Sequence, residues 1–324
     1  MIATTRPPKS AFEATTSTVE ETAATTHRTR PFDLSGRTVL LAMDGSAGAA
    51  AAANVALALA TTLHAHIHVV SVIETRGTPI PPPLDLALAL GNELGGEGAH
   101  HAQMKKVRAA VSAAVSAPID WPVRIVMGPP AGAIVHEAKR LGAALVVVGL
   151  HPHGRVARAT NEETVLNVVR NARCAVLGIV PGMTALPTRA LVALDFTPSS
   201  LLAARMACGL LGDEGTVVLG YVSGLNGRLP EDGEEVVHEL GVQAGFELAA
   251  KELERPGLSI SDIVLRREPP STPADILLDY ADRAKSQLIA AGSSRLGRLD
   301  RWIVGSVSTD LVRDGRRSVL IVPP

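Results

Sequence analysis

Aromatic side chains are nearly missing from this chain of 324 residues, where Phe, Tyr and Trp together make up 2%. A platform that stacks single-stranded bases needs such rings, so that class of nucleic-acid binder is excluded. Excess charge is missing too. The 31 basic and 32 acidic residues leave a formal net charge of −1, with no basic stripe to grip a phosphate backbone. No apolar run reaches the ~18 residues that span a bilayer, so no membrane partner is expected. Residues 1–31 lack the apolar centre of a secretory signal. Cys174 and Cys208 are the only cysteines; neither has metal-ligand spacing, and both sit in apolar stretches as small buried hydrophobes. Such sparse thiols fit a reducing compartment, and a cytoplasmic location is expected. A Walker loop, a G-x-S-x-G elbow, a Cys–His signature and paired catalytic acids are all absent. Binding is expected, not turnover.

What is present is aliphatic. Apolar residues make up 46% of the chain, and its length suits two domains of ordinary size. Residues 1–35, rich in Thr, Ala and Pro without periodicity, read as a disordered tail. Then short apolar runs alternate with longer amphipathic stretches, twice over. The runs are Val39–Met43, Ile67–Val72, Val123–Val126, Leu145–Val148 and Ala175–Val180, then Leu191–Leu194, Val217–Val222, Ile263–Leu265, Leu288–Ala291 and Val319–Val322. Short β-branched runs of this kind are what parallel strands covered on both faces require. Between them, Met104, Val107, Val111 and Val115 recur on one helical face, as do Val236, Leu240, Ala244 and Leu248. Alternating strands and helices imply a doubly wound, Rossmann-like α/β sheet.

The two passes are copies. Asp44 and Asp195, each ending a first strand, stand 151 residues apart, and Gly149 and Gly292, each ending a fourth, stand 143 apart. The difference of eight falls between those strands, in the first copy's longer loop after strand two. Domains are expected at 36–182 and 188–324, with a linker at 183–187 inside the Pro- and Gly-bearing stretch Pro181–Arg189.

The segments VLLAMDGS and LVALDFTPSS, GPPAGAIVHEAKRLGAALVVVGLHPHG, and GSSRLGRLDRWIVGSVSTDLVRDGRRSVLIVPP resemble the universal stress protein family. The closing GSV…LVR…SVLIVP pattern is the most distinctive of these. The resemblance covers both copies and implies a tandem, UspA-like protein. Each domain would be of the adenine nucleotide alpha hydrolase-like kind, a five-stranded parallel sheet of order 3-2-1-4-5. It also implies a stress-response sensor or binding protein, with ATP or AMP as a ligand and packing through fifth-strand edges. That packing would join the two domains as an intramolecular pseudo-dimer, or two chains as a homodimer.

In nucleotide-binding members of this family, the first-strand Asp contacts the ribose. A G-x2-G-x9-G-[ST] loop after strand four wraps the phosphates, where glycines admit the backbone and helix N–H groups hold the charge. Carried onto the second copy, Asp195 faces the ribose, Val222 the base, and Gly292, Gly305 and Ser306 the phosphates. Arg295 occupies the middle glycine and would substitute a forked, charged contact. The plain alternatives are that Ser306 caps a helix, and that Thr197-Pro198 starts one, with Asp195 favoured by its dipole.

In the first copy, Glu162 and Glu163 stand where Gly-Ser would be, and Thr160 with Glu163 forms a capping-box pattern. Two like charges ~4 Å apart at an effective dielectric near 20 repel by about 4 kcal/mol. That copy is therefore expected to be structural and to refuse a triphosphate. His151 and His153 flank a proline, and His64, His66 and His68 alternate about strand two. Neither set carries enough ligands for a metal site, and no metal is expected. Two readings stand beside the nucleotide binder: a structural or interaction module without nucleotide, and a weak nucleotide hydrolase, for which fold kinship alone is no argument.

Overall fold

The computed structural model describes residues 32–74, 96–116, 119–150, 158–211, 214–223, 234–267, 270–293 and 305–324. The first half runs β1 (Thr38–Ala42), α1 (Ala47–Leu63), β2 (His66–Ile73), α2 (Gly96–Val115), β3 (Val123–Met127), α3 (Pro130–Leu141), β4 (Leu145–Gly149), α4 (Arg158–Asn171) and β5 (Ala175–Ile179). The second repeats it: β6 (Arg189–Ala193), α5 (Pro198–Leu210), β7 (Gly215–Ser223), α6 (Glu234–Leu253), β8 (Leu258–Arg266), α7 (Pro273–Arg283), β9 (Leu288–Gly292), α8 (Ser306–Asp314) and β10 (Ser318–Val322). Each of the ten apolar runs falls on a strand, three of them (ending at Met43, Val180 and Leu194) running one residue past its end.

Alternation explains why the runs are unbroken. Along β4, Leu145 and Val147 face one core while Val146 and Val148 face the other, all four at 3% exposure or less. One core holds α1, α2, α5 and α6 against the sheet, and the other holds α3, α4, α7 and α8. Helix starts follow their capping chemistry. Ser46 accepts from the Ala49 amide and Thr197 from the Ser200 amide, and Thr272 with Asp275 forms a reciprocal capping box.

Each half has the strand order 3-2-1-4-5, and the two halves are joined through their fifth strands, as the pseudo-dimer expectation has it. The strands form one ten-stranded sheet, β3-β2-β1-β4-β5-β10-β9-β6-β7-β8. Its halves are parallel within themselves and meet through an antiparallel β5–β10 ladder, Val176 opposite Ile321 and Gly178 opposite Val319. Both fifth-strand edges are thereby used inside the chain. The expected homodimer through those edges is corrected for the same reason: β5 lies between β4 and β10, and β10 between β5 and β9.

Two finer expectations also change. Phe32 to Ser35, assigned to the tail, belong to the folded body: Leu34 is 2% exposed, and a Cβ on Gly209 of α5 would lie 2.6 Å from the Phe32 carbonyl oxygen. On α6, the stripe Leu240, Ala244, Leu248 faces outward, with the two leucines 65% and 71% exposed. The buried stripe is Val242, Phe246, Ala249 and Leu253. Both stripes are apolar, and the sheet selects the one carrying the aromatic ring.

Candidate functional site

In the second half, Asp195, Val222 and Gly292 come to one level. Ala193 pairs with Gly220 on one side and Ala291 on the other. Asp195 and Val222 are two residues beyond that rung and Gly292 is one beyond. All three therefore line the carboxyl end of the sheet, where open α/β sheets take ligands. The first turn of α8 is drawn to the same place, its Ser308 hydroxyl donating to the Gly292 carbonyl at 3.4 Å. Gly305 is the N-cap of α8 and offers no side-chain hydrogen bond, the first turn carries no acid, and Ser306 is exposed. The leading amides of α8 thus face outward without a side-chain acceptor from their own cap, an arrangement suited to an anion. Arg295 lies outside the described residues.

Local chemistry also explains several of these residues without a ligand. Asp195 Oδ1 accepts from the Thr197 amide at 3.1 Å and its hydroxyl at 2.5 Å, shaping the turn into α5. A Cβ on Gly292 would stand 2.5 Å from both Ser199 C and Ser200 N. The glycine is there because the start of α5 lies against the end of β9. Gly149 repeats this, its absent Cβ falling 2.3 Å from Gly48 C. Between Asp195 and Thr197, Phe196 adopts a left-handed φ of 60°, where the first half has Gly45 at 84°. That conformation costs a non-glycine residue about 1–2 kcal/mol. Ring packing holds it: Phe196 stacks on Tyr221 at 5.6 Å and meets Phe246 edge-on at 5.5 Å. Gly245 leaves the room, since a Cβ there would lie 2.6 Å from the Phe196 ring. Tyr221 is buried in part, which raises its phenol pKa, and the Asp195 carboxylate adds to the rise. Its hydroxyl lies 3.3 Å from His238 Nε2. This aromatic group was missed in the sequence; its signal was that three of so few rings fall around one strand end.

The first half holds a cavity of about 310 Å³ at the equivalent place, lined by Ala42, Met43 and Asp44 after β1, Val70, Val72 and Glu74 at β2, Pro130 and Ile134 of α3, Val148 and Gly149 of β4, and Thr164, Val165 and Val168 of α4. The walls are aliphatic, and the charged residues among this lining are two carboxylates. The expected capping box is corrected. Helix α4 begins at Arg158, so Thr160 lies inside the first turn, and Glu163 is the sixth helical residue instead of the third. The like-charge argument at the helix tip thereby loses its geometry.

Both halves match the profile of the universal stress protein family, over residues 36–179 and 187–323. The chain belongs to that family. Among solved structures, a universal stress protein from Archaeoglobus fulgidus DSM 4304 is 19% identical, covering 88% of this chain and 98% of its own, with a TM-score of 0.59. A functionally unknown protein from Pseudomonas aeruginosa PAO1 is 17% identical, covering 89% and 92%, with a TM-score of 0.55. At these identities the likeness is one of fold. No curated protein matches.

As a tandem universal stress protein, the chain carries two versions of one site position. Val72 and Val222 occupy equivalent places on β2 and β7, while Gly305-Ser306 in the second half corresponds to Glu162-Glu163 in the first. The remaining reactive residues lie elsewhere. Burial pushes the Cys174 thiol up to about 11 and the Cys208 thiol up to about 12. The Arg255 guanidinium donates to the carbonyls of Cys208 and Leu211, closing the end of α5. His64 ends α1 with a left-handed φ of 53°, and His66 and His68 lie on β2. His151 and His153 are outside the described residues. Among the described residues no group of three or more His, Cys, Asp or Glu could hold a metal ion, and no helix is long and apolar enough to cross a membrane.

Proposed function

We propose that this universal stress protein is a nucleotide-responsive binding protein, taking ATP or AMP in its second half without turning it over. The observation that carries the reading is the start of α8, where a Gly-Ser pair leaves helix amides without a side-chain cap beside the end of β9. A phosphate group is favoured there by the amides and the helix dipole together. Asp195 retains a second carboxylate oxygen for a ribose hydroxyl, Val222 offers an apolar contact to a base, and Arg295 would add positive charge. Calorimetric titration of the full chain with ATP and AMP tests the proposal, with micromolar binding expected. Gly305→Glu should weaken it by a factor of ten or more, and an unchanged affinity would displace the site. Steady-state hydrolysis should not exceed that of Ser306→Ala; a higher rate would favour the hydrolase.

The first-half cavity favours a second reading. Its aliphatic walls and its Asp44 and Glu74 rim suit a small apolar molecule without phosphate. Val72→Phe, which fills the cavity, would then abolish binding that Gly305→Glu leaves intact.

A further inference from the structure

We infer that the chain dimerises through the free edge of β8, pairing antiparallel with a second copy about a two-fold axis at Val264. Among the described residues, strand β8 ends the sheet and pairs with β7 alone. It is nine residues long, and its register with β7 runs unbroken from Gly215 opposite Leu258 to Ser223 opposite Arg266, with no bulge and no proline. Long, regular edges are ready templates for another strand. The opposite edge is guarded: β3 has five residues, Pro122 and Pro129 flank it, and its Arg124 is held by Glu137 at 3.5 Å.

The backbone fixes which residues a partner would meet. The Arg267 amide donates to the Ser223 carbonyl, and Leu258, of the opposite parity, donates to Arg255 instead. By the alternation along a strand, Asp262, Val264 and Arg266 turn their N–H and C=O groups away from β7, toward open edge. Their side chains share one face and are all exposed, Val264 at 48%. Neither Asp262 nor Arg266 has an ion-pair partner among the described residues.

A two-fold axis at Val264 sets Val264 against itself, Asp262 against the second copy's Arg266, and Arg266 against its Asp262. All three are pairs in which both residues offer outward backbone groups, so each exchanges two hydrogen bonds. Two of them also place opposite charges face to face. Centring the axis on Asp262 or on Arg266 would set like charges opposite each other. The sequence of this edge is thus complementary to itself in the register its backbone allows.

Sedimentation equilibrium of the full chain, taken to about 100 μM, tests the inference. A dimer is expected. Asp262→Arg or Arg266→Asp alone should weaken it at least tenfold, and the two together should restore it. Val264→Pro should give a monomer with an unchanged circular dichroism spectrum, because the lost N–H faces solvent and an edge tolerates proline there. A wild-type chain that remains monomeric overturns the inference, whether or not the edge accepts some other peptide. A dimer indifferent to both single charge reversals overturns it too, as does a double variant that fails to re-form.

Discussion

Single residues here answer to packing before they answer to ligands. Gly292 would be assigned to phosphate by its place in the family pattern, yet its missing Cβ is required by the α5 backbone. Gly292→Ala should therefore destabilise the fold by about 1–3 kcal/mol, read as a lower urea midpoint at constant slope, in the absence of any nucleotide. Glu137 makes a comparable point for charge. It is buried, and the Arg140 guanidinium grips it through two hydrogen bonds of 2.9 and 2.6 Å. That contact outweighs burial and, helped by Arg124 and His136, holds its carboxyl below the usual 4.5. A depressed folded pKa contributes stability above the unfolded value, and that contribution is lost as pH falls below 4.5 through the folded pKa. Glu137→Gln should flatten this part of the stability–pH curve. Glu137→Ala should cost about 2 kcal/mol at neutral pH.

Elements were legible in the sequence to the extent that both faces of a strand were buried. The central strands carry uninterrupted Val, Leu and Ile, and their ends fall within two residues of the apolar runs. Strand β8 did not follow, since only Ile263–Leu265 stood out of nine residues. Being an edge, it carries exposed Ser259, Ser261 and Asp262 among half-buried positions and buries only Leu265, which dilutes the signal. Helix α6 shows the other limit, because periodicity finds a stripe without saying which stripe the sheet will take. Phe246→Ala should cost about 3–5 kcal/mol, whereas Leu240→Gln should change stability by no more than about 0.5 kcal/mol. Equal effects in chemical denaturation would reverse the assigned face. The site was legible as a set of strand ends, which topology alone brings together. The first-half cavity was not, since it depends on side chains from five elements meeting at one depth.

For the whole molecule, the decisive feature is the β5–β10 ladder. A chain of two similar halves suggests two bodies on a linker, but here one hydrophobic core draws residues from both: Leu177 and Val147 with Leu320 and Leu219. The N-terminal Phe32 also reaches across to α5 of the second half. Such a molecule should unfold in one step. In a Trp302→Phe variant, Trp121 fluorescence, which then reports on the first half alone, and far-ultraviolet circular dichroism, which reports on both, should give coincident urea midpoints. Two resolved transitions would mean that the halves stand independently.

Fusion through those fifth strands has an evolutionary corollary. When two identical subunits meet at a shared ladder, every substitution is made twice, and neither binding position can change alone. Joined end to end in one chain, the partners are always present in equal number and always find each other. One can drift toward an oily hollow while its sibling keeps a helix tip free of acidic side chains, without either losing its place in the shared ribbon of backbone.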